Sequence, residues 1–152
     1  MRARRKPCGL VSGESRMIYD VYFNLTKKLY SLRPCEGPNK GRVIGHCTSV
    51  SMRDVTFRVS QASRNRVLRD RQKNVHATAR GVVTCATGEG FKIEPQENAA
   101  DLDSLKAHGH KITYCPYRSG SFQRYESDGS LTDIETAESL ILDTLGNRYA
   151  MT

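Results

Sequence analysis

Short runs of β-branched and aromatic residues, each cut off by glycine, proline or Asx turns, constrain this chain more than any other feature. Val55, Phe57 and Val59 alternate with Asp54, Thr56 and Arg58, the period of a strand with one wet face. Residues 18–24 and 29–33 are equally rich in strand formers, and the few polar residues between them make the pair a hairpin. Further strand-like runs fall at 42–47, 50–59, 75–85, 111–114 and 121–125, with a loop of prolines and glycines over 34–41. The reading is an α+β fold, predominantly antiparallel β-sheet with one or two short helices.

Two segments break the strand period. In 61–74, Val67 and Leu68 are surrounded by arginines and pin a short helix or ordered loop, on which Arg66, Arg69 and Lys73 share a face. At the C-terminus, Thr132 with Glu135 fits a capping box, and Ile134, Ala137, Ile141 and Leu145 are helically spaced. The expectation there is a short helical turn near 133–138, followed by a hairpin of 140–142 and 149–151 across Gly146-Asn147. A composition shift over 86–109 reads as a long acidic loop with a minor strand at 91–93. Residues 1–16 are basic with almost nothing to bury, so the expected organisation is a flexible tail followed by a single domain over 17–152, with Met17 as an alternative start. A chain of 152 residues suits one domain. Its apolar runs are all far shorter than the ~18 residues of a membrane span, and no secretory signal core follows the basic start. A cytoplasmic protein is expected.

Charge is the strongest functional signal. Residues 1–85 carry 18 Lys and Arg against 5 Asp and Glu, whereas 86–152 carry 6 against 11. A field of that sign over half a small domain attracts polyanions and holds them by counterion release. The expected phosphate contacts are Lys28, Arg33, Arg42, Arg66, Arg69, Lys73 and Asn74. Tyr19, Tyr22, Phe23 and Tyr30 are interleaved with these cations and offer rings on which unpaired bases stack.

Two other chemistries have candidates. His76 and His46 are a possible base and acid for metal-independent RNA cleavage, with the 2′-hydroxyl as nucleophile and a nearby cation on the phosphate. His108, His110 and Cys115 are potential metal ligands, but their spacing matches no zinc pattern, so no metal and no cofactor is assigned. The five cysteines include no C-x-x-C; free thiols are expected, with Cys47 and Cys85 acting as small hydrophobes.

Five stretches also look familiar as a set: Tyr19-Asp20-Val21-Tyr22-Phe23-Asn24-Leu25-x-Lys27-Lys28, Ser31-Leu32-Arg33, Gly41-Arg42-Val43-Ile44-x-His46, Lys73-Asn74-Val75-His76-Ala77, and Tyr114-x-Pro116-Tyr117 with Phe122. Together they resemble a family of small bacteriophage and prophage proteins over about 100 residues, with Cys115 standing where that pattern has Asn. The resemblance implies a phage-encoded protein acting in the cytoplasm of an infected bacterium, and it transfers no catalytic residue. The leading expectation is a basic accessory protein that binds RNA or single-stranded DNA through its N-terminal half. The alternatives are the histidine nuclease and an inhibitor of a host defence protein whose acidic or nucleic-acid-binding groove the basic half would fill.

Overall fold

The computed structural model describes residues 18–71, 75–96 and 99–152; the expected tail at 1–16, Lys73 and Asn74 lie outside the described residues. The elements run β1 (Ile18–Asn24), β2 (Leu29–Pro34), β3 (Gly45–Val59), α1 (Gln61–Asp70), β4 (Ala77–Gly88), β5 (Lys92–Ile93), α2 (Leu102–His108), β6 (His110–Thr113), β7 (Phe122–Tyr125), β8 (Leu131–Ile134), β9 (Thr136–Asp143) and β10 (Arg148–Met151). The strands form one antiparallel sheet in the order β5-β4-β1-β2-β3-β9-β10-β6-β7-β8, with β3 also paired to β4. The architecture is therefore mostly antiparallel sheet with two short helices among the described residues.

The length of β3 organises this sheet. One of its edges pairs with β2 at residues 45–47 and then with β9 at 49–56, while the other edge pairs with β4 from Cys47 to Val59, with bulges on the way. Because β1 pairs with both β2 and β4, the pairings β1–β2–β3–β4–β1 close into a circuit. A circuit of so few strands demands strong coiling, and register shifts along the β3–β4 ladder provide it. At the last shift Asp54 sits in the left-handed region with φ 53°. Gly81 faces that bulge: a Cβ there would lie 2.9 Å from the Arg53 carbonyl oxygen. The core lies on the concave side, where Val21, Leu32, Val50, Met52, Val55 and Leu140 are fully or almost fully buried.

Side-chain caps set several boundaries. Ser60 Oγ accepts from the Ser63 amide to start α1, and the helix ends where the Arg71 amide donates to Val67 O with Arg71 at φ 57°. Asp101 caps α2 in the same way through the Ser104 amide. The β9–β10 turn is held by Asp143, whose Oδ1 accepts from the Leu145 and Asn147 amides, both at 2.9 Å.

Three sequence expectations need correction. The runs at 42–47 and 50–59 belong to a single bulged strand that starts at Gly45. The stretch 86–109 holds the expected minor strand, β5, but it is otherwise not all loop: it also contains the end of β4 and the helix α2. Residues 133–138 are not helical but form the corner between β8 and β9, docked through the Phe57 amide on Glu135 O. The capping-box pattern was present, but strand pairing on both sides of β9 outweighs the propensity of one short turn. The hairpins β1–β2 and β9–β10 and the helix α1 lie where the sequence places them. No helix among the described residues is long and apolar enough to cross a membrane.

Candidate functional site

Pairing between β1 and β4 stops at Val21 and Ala79. Beyond that point the two strands part, and residues 22–26 face residues 75–77 across an open cleft of about 860 Å³. The volume falls within the roughly 300–1,000 Å³ typical of ligand sites. The remaining walls are the loop 113–117, Val67 and Arg71 from the end of α1, and Leu140, Leu142 and Arg148 from β9 and β10. Two contacts brace the outer wall, since Arg64 Nε donates to Pro116 O at 3.0 Å and Gln61 Nε2 donates to Gly120 O at 3.0 Å.

Aromatic rings dominate the interior. Phe57 stacks on Phe122 with centroids 4.6 Å apart, Phe122 on Tyr114 at 5.0 Å, and Tyr114 meets His76 at 5.5 Å. Such a row presents flat faces to anything entering between the strands. The Tyr114 hydroxyl is buried without a hydrogen-bond partner among the described residues, and burial raises its pKa despite the opposing charge of Arg64. At the mouth, Tyr117 is 60% exposed and Leu25 and Val75 are also exposed. Two arginines attend these rings. Arg71 lies 6.0 Å from the Tyr117 centroid and Arg148 lies 5.7 Å from that of Phe23. Arg148 Nε also donates to the Tyr30 hydroxyl, which donates in turn to Asp143 O.

The predicted site residues are spread over several elements. Lys28 shares the tip of the β1–β2 hairpin with Leu25 and Thr26 of the cleft mouth. Arg66 and Arg69 lie on the solvent side of α1, and Arg69 is paired with Asp70 at 2.9 Å. Arg71 and Arg148, which the sequence reading missed, reach the cleft. Only the strand pairing brings Arg148 to β2 and β9, so no local signal marked it. Arg33 lies near the end of β2, Arg42 in the loop that follows it, and His46 at the start of β3, paired with Ser31.

The two histidines have different partners: His46 Nδ1 lies 2.9 Å from Ser31 Oγ, whereas the His76 ring meets Tyr114 in the cleft. His46 neighbours Cys47, which pairs with Gly88, whereas His76 neighbours Ala77, which pairs with Val59 at the other end of the ladder. The remaining ligand candidates do not gather. His110 Nδ1–H donates to Tyr125 O at 3.1 Å while Cys115 lines the cleft. Cys47 is buried in the core, and burial with the nearby Cys85 pushes its thiol up to about 11, so it is unreactive at neutral pH.

On the outward face of the hairpin, Asp20 takes both Arg80 donors, at 2.8 and 2.9 Å. Burial opposes ionisation of Asp20, but the Arg80 hydrogen bonds and charge, the Arg33 charge and the Cys35 thiol outweigh it and lower its pKa. A depressed carboxyl contributes stability in full above its unfolded value of about 3.9, and loses it as pH falls through the lower folded value. Asp20→Asn is therefore expected to lower the melting temperature at pH 7, with the deficit relative to wild type shrinking below pH 4. A deficit independent of pH would show that the ion pair is not its source.

Fold and site define a small, mostly antiparallel β protein with an open aromatic cleft. The chain belongs to the family of the Mycobacterium phage L5 gene 82 protein, which matches residues 14–150. The Gene 82 protein of Mycobacterium phage L5 is 35% identical over 96 residues, which is 63% of this chain and 64% of that protein. The match thus spans less than two thirds of the relative's length. No solved structure matches. The phage resemblance of the sequence motifs is thereby shown, and the fold gives those motifs a location. Residues 22–25, 75–77, 114–117 and Phe122 all line the cleft.

Proposed function

We propose that this α+β domain is a phage accessory protein of the host cytoplasm that binds single-stranded nucleic acid, RNA or DNA, with bases in the cleft and phosphates on its cationic rim. The observation that carries this reading is the row of rings at the mouth and wall of the cleft, with Arg71, Arg148 and the hairpin-tip Lys27 and Lys28 around it. Stacking rings flanked by cations suit unpaired strands, because every base offers a π-face and every nucleotide a phosphate. The ion pairing agrees. Among the described residues Lys27, Lys28, Arg42, Arg58 and Arg66 enter no ion pair, so the positive half is not neutralised internally.

The test is anisotropy of labelled single- and double-stranded RNA and DNA with the full chain over a salt series. Single strands are expected to bind more tightly than duplexes. Combined Arg71→Gly, Lys27→Gln and Lys28→Gln changes should reduce the slope of log affinity against log salt by about 2, at ~0.7 per phosphate on a single strand. Tyr117→Ala should cost about 1–3 kcal/mol of binding with the slope unchanged. Absence of binding at low salt, or variants that bind like wild type, would refute the reading.

Arg71→Gly also separates binding from folding. Arg71 occupies a left-handed position at the end of α1, where an L side chain costs about 1–2 kcal/mol and glycine does not. The single variant is expected to melt no lower than wild type while binding more weakly. A lower melting temperature would mean that Arg71 supports the fold.

A further inference from the structure

We propose that Arg33 and His46, on the face of β2 and β3 turned away from the core, form a phosphate-binding site beside the cleft. The argument begins with the orientation of one amide. Asn24 Oδ1 accepts the Thr26 and Lys27 amides, both at 3.0 Å, which turns its Nδ2 toward Ser31 Oγ at 3.4 Å. Ser31 is fully buried, and its oxygen accepts that amide proton. His46 Nδ1 lies 2.9 Å from the same oxygen. With Nδ1 engaged by Ser31, Nε2 is the ring nitrogen left for a ligand, and it donates when Nδ1 takes the Ser31 proton or when the ring carries both of its own.

Arg33 is two residues beyond Ser31 on the same face of β2, a diagonal neighbour of His46 at about 7–8 Å. Its guanidinium lies over the Tyr22 ring at 5.1 Å, which holds the side chain in place. Asp20 is opposite Arg33 in register, yet it gives its two oxygens to Arg80. Among the described residues Arg33 has no hydrogen-bond acceptor, and its Nε is buried. The charges of Arg33, Arg80 and Asp20 leave one positive charge in excess.

The cluster thus presents donors and positive charge, with its carboxylate already engaged. Such a surface selects an oxyanion. A tetrahedral phosphate offers oxygens in several directions, so one pair can meet the Arg33 fork while another accepts from His46. A planar carboxylate fills the fork alone. The phosphate is either a free or small-molecule phosphate or part of a nucleic-acid backbone.

The probe is inorganic phosphate, titrated into the full chain while the Arg Nε–H and His side-chain nitrogens are followed by NMR. Saturable shifts of the Arg33 and His46 signals are expected, weakened at least about tenfold in Arg33→Lys and in His46→Gln. Arg33→Lys keeps the charge and loses the fork, so it tests geometry with little risk to folding. Ser31→Ala should shift the His46 Nδ1 resonance, because it removes that nitrogen's partner at 2.9 Å. No shift with phosphate, or equal affinity in both variants, overturns the proposal. A single-stranded oligonucleotide then distinguishes the sources. A salt slope smaller by about 0.7 in Arg33→Gln assigns the site to a strand's phosphate, and an unchanged oligonucleotide affinity in that variant assigns it to a free one. The phosphate arm decides the proposal even if the cleft binds no nucleic acid.

Discussion

Leu140→Ala is expected to destabilise the fold by about 3–4 kcal/mol, whereas Leu145→Ala leaves stability within about 0.5 kcal/mol of wild type. Leu140 is wholly buried in β9 and belongs to the core cluster and the cleft wall, while Leu145 is 88% exposed in the turn that follows. The Leu140 loss has two parts, the transfer of the removed methyl groups and the space they leave. That space adjoins the cleft, so little of it can be filled by collapse. Urea melts of both variants check the prediction. Equal midpoints would mean that β9 does not pack as described. The contrast depends on pairing with β3 and β10, which directs Leu140 into the core and leaves residues 144–146 in a turn.

Gly88→Ala should be comparably damaging, at about 2–3 kcal/mol. Gly88 ends β4 opposite Cys47, and a Cβ on it would overlap the His46 carbonyl oxygen. That atom belongs to the backbone of β3, which is also paired with β2, so neither strand can give way alone. Gly146→Ala is the informative companion. It has open space around its Cβ position and only a left-handed φ of 96° to strain it. Thermal melts are expected to rank wild type, then Gly146→Ala, then Gly88→Ala. If Gly88→Ala melts like wild type, the closure of β2, β3 and β4 is looser than the register implies.

Much of the strand content was legible because it rests on local chemistry. The alternation around Phe57, the Asn24 turn and the Asp143-Gly146-Asn147 turn each show in a few consecutive residues. The helical spacing of Ile134, Ala137, Ile141 and Leu145 misled for the same reason. A strand that alternates and a helix that repeats can share those positions, and only the partners of β9 separate them. Charge was equally legible in amount but not in placement. Arg69 and Arg80 proved committed to Asp70 and Asp20, while Arg71 and Arg148, unmarked by any local pattern, reached the cleft.

From residue order alone came the strand-rich chain, its tight turns, its basic first half and the phage motifs, since each depends on neighbours within a few positions. The cleft and the outward cluster came only with the folded chain. Phe23, Phe57, Tyr114 and Phe122 line one cleft because β1 parts from β4 after Val21, and His46 gains a partner at Nδ1 because Ser31 arrives from another strand. These are contacts between residues far apart in sequence. They exist only once the β1–β2–β3–β4 circuit has closed, and that closure is settled by packing and register across the sheet.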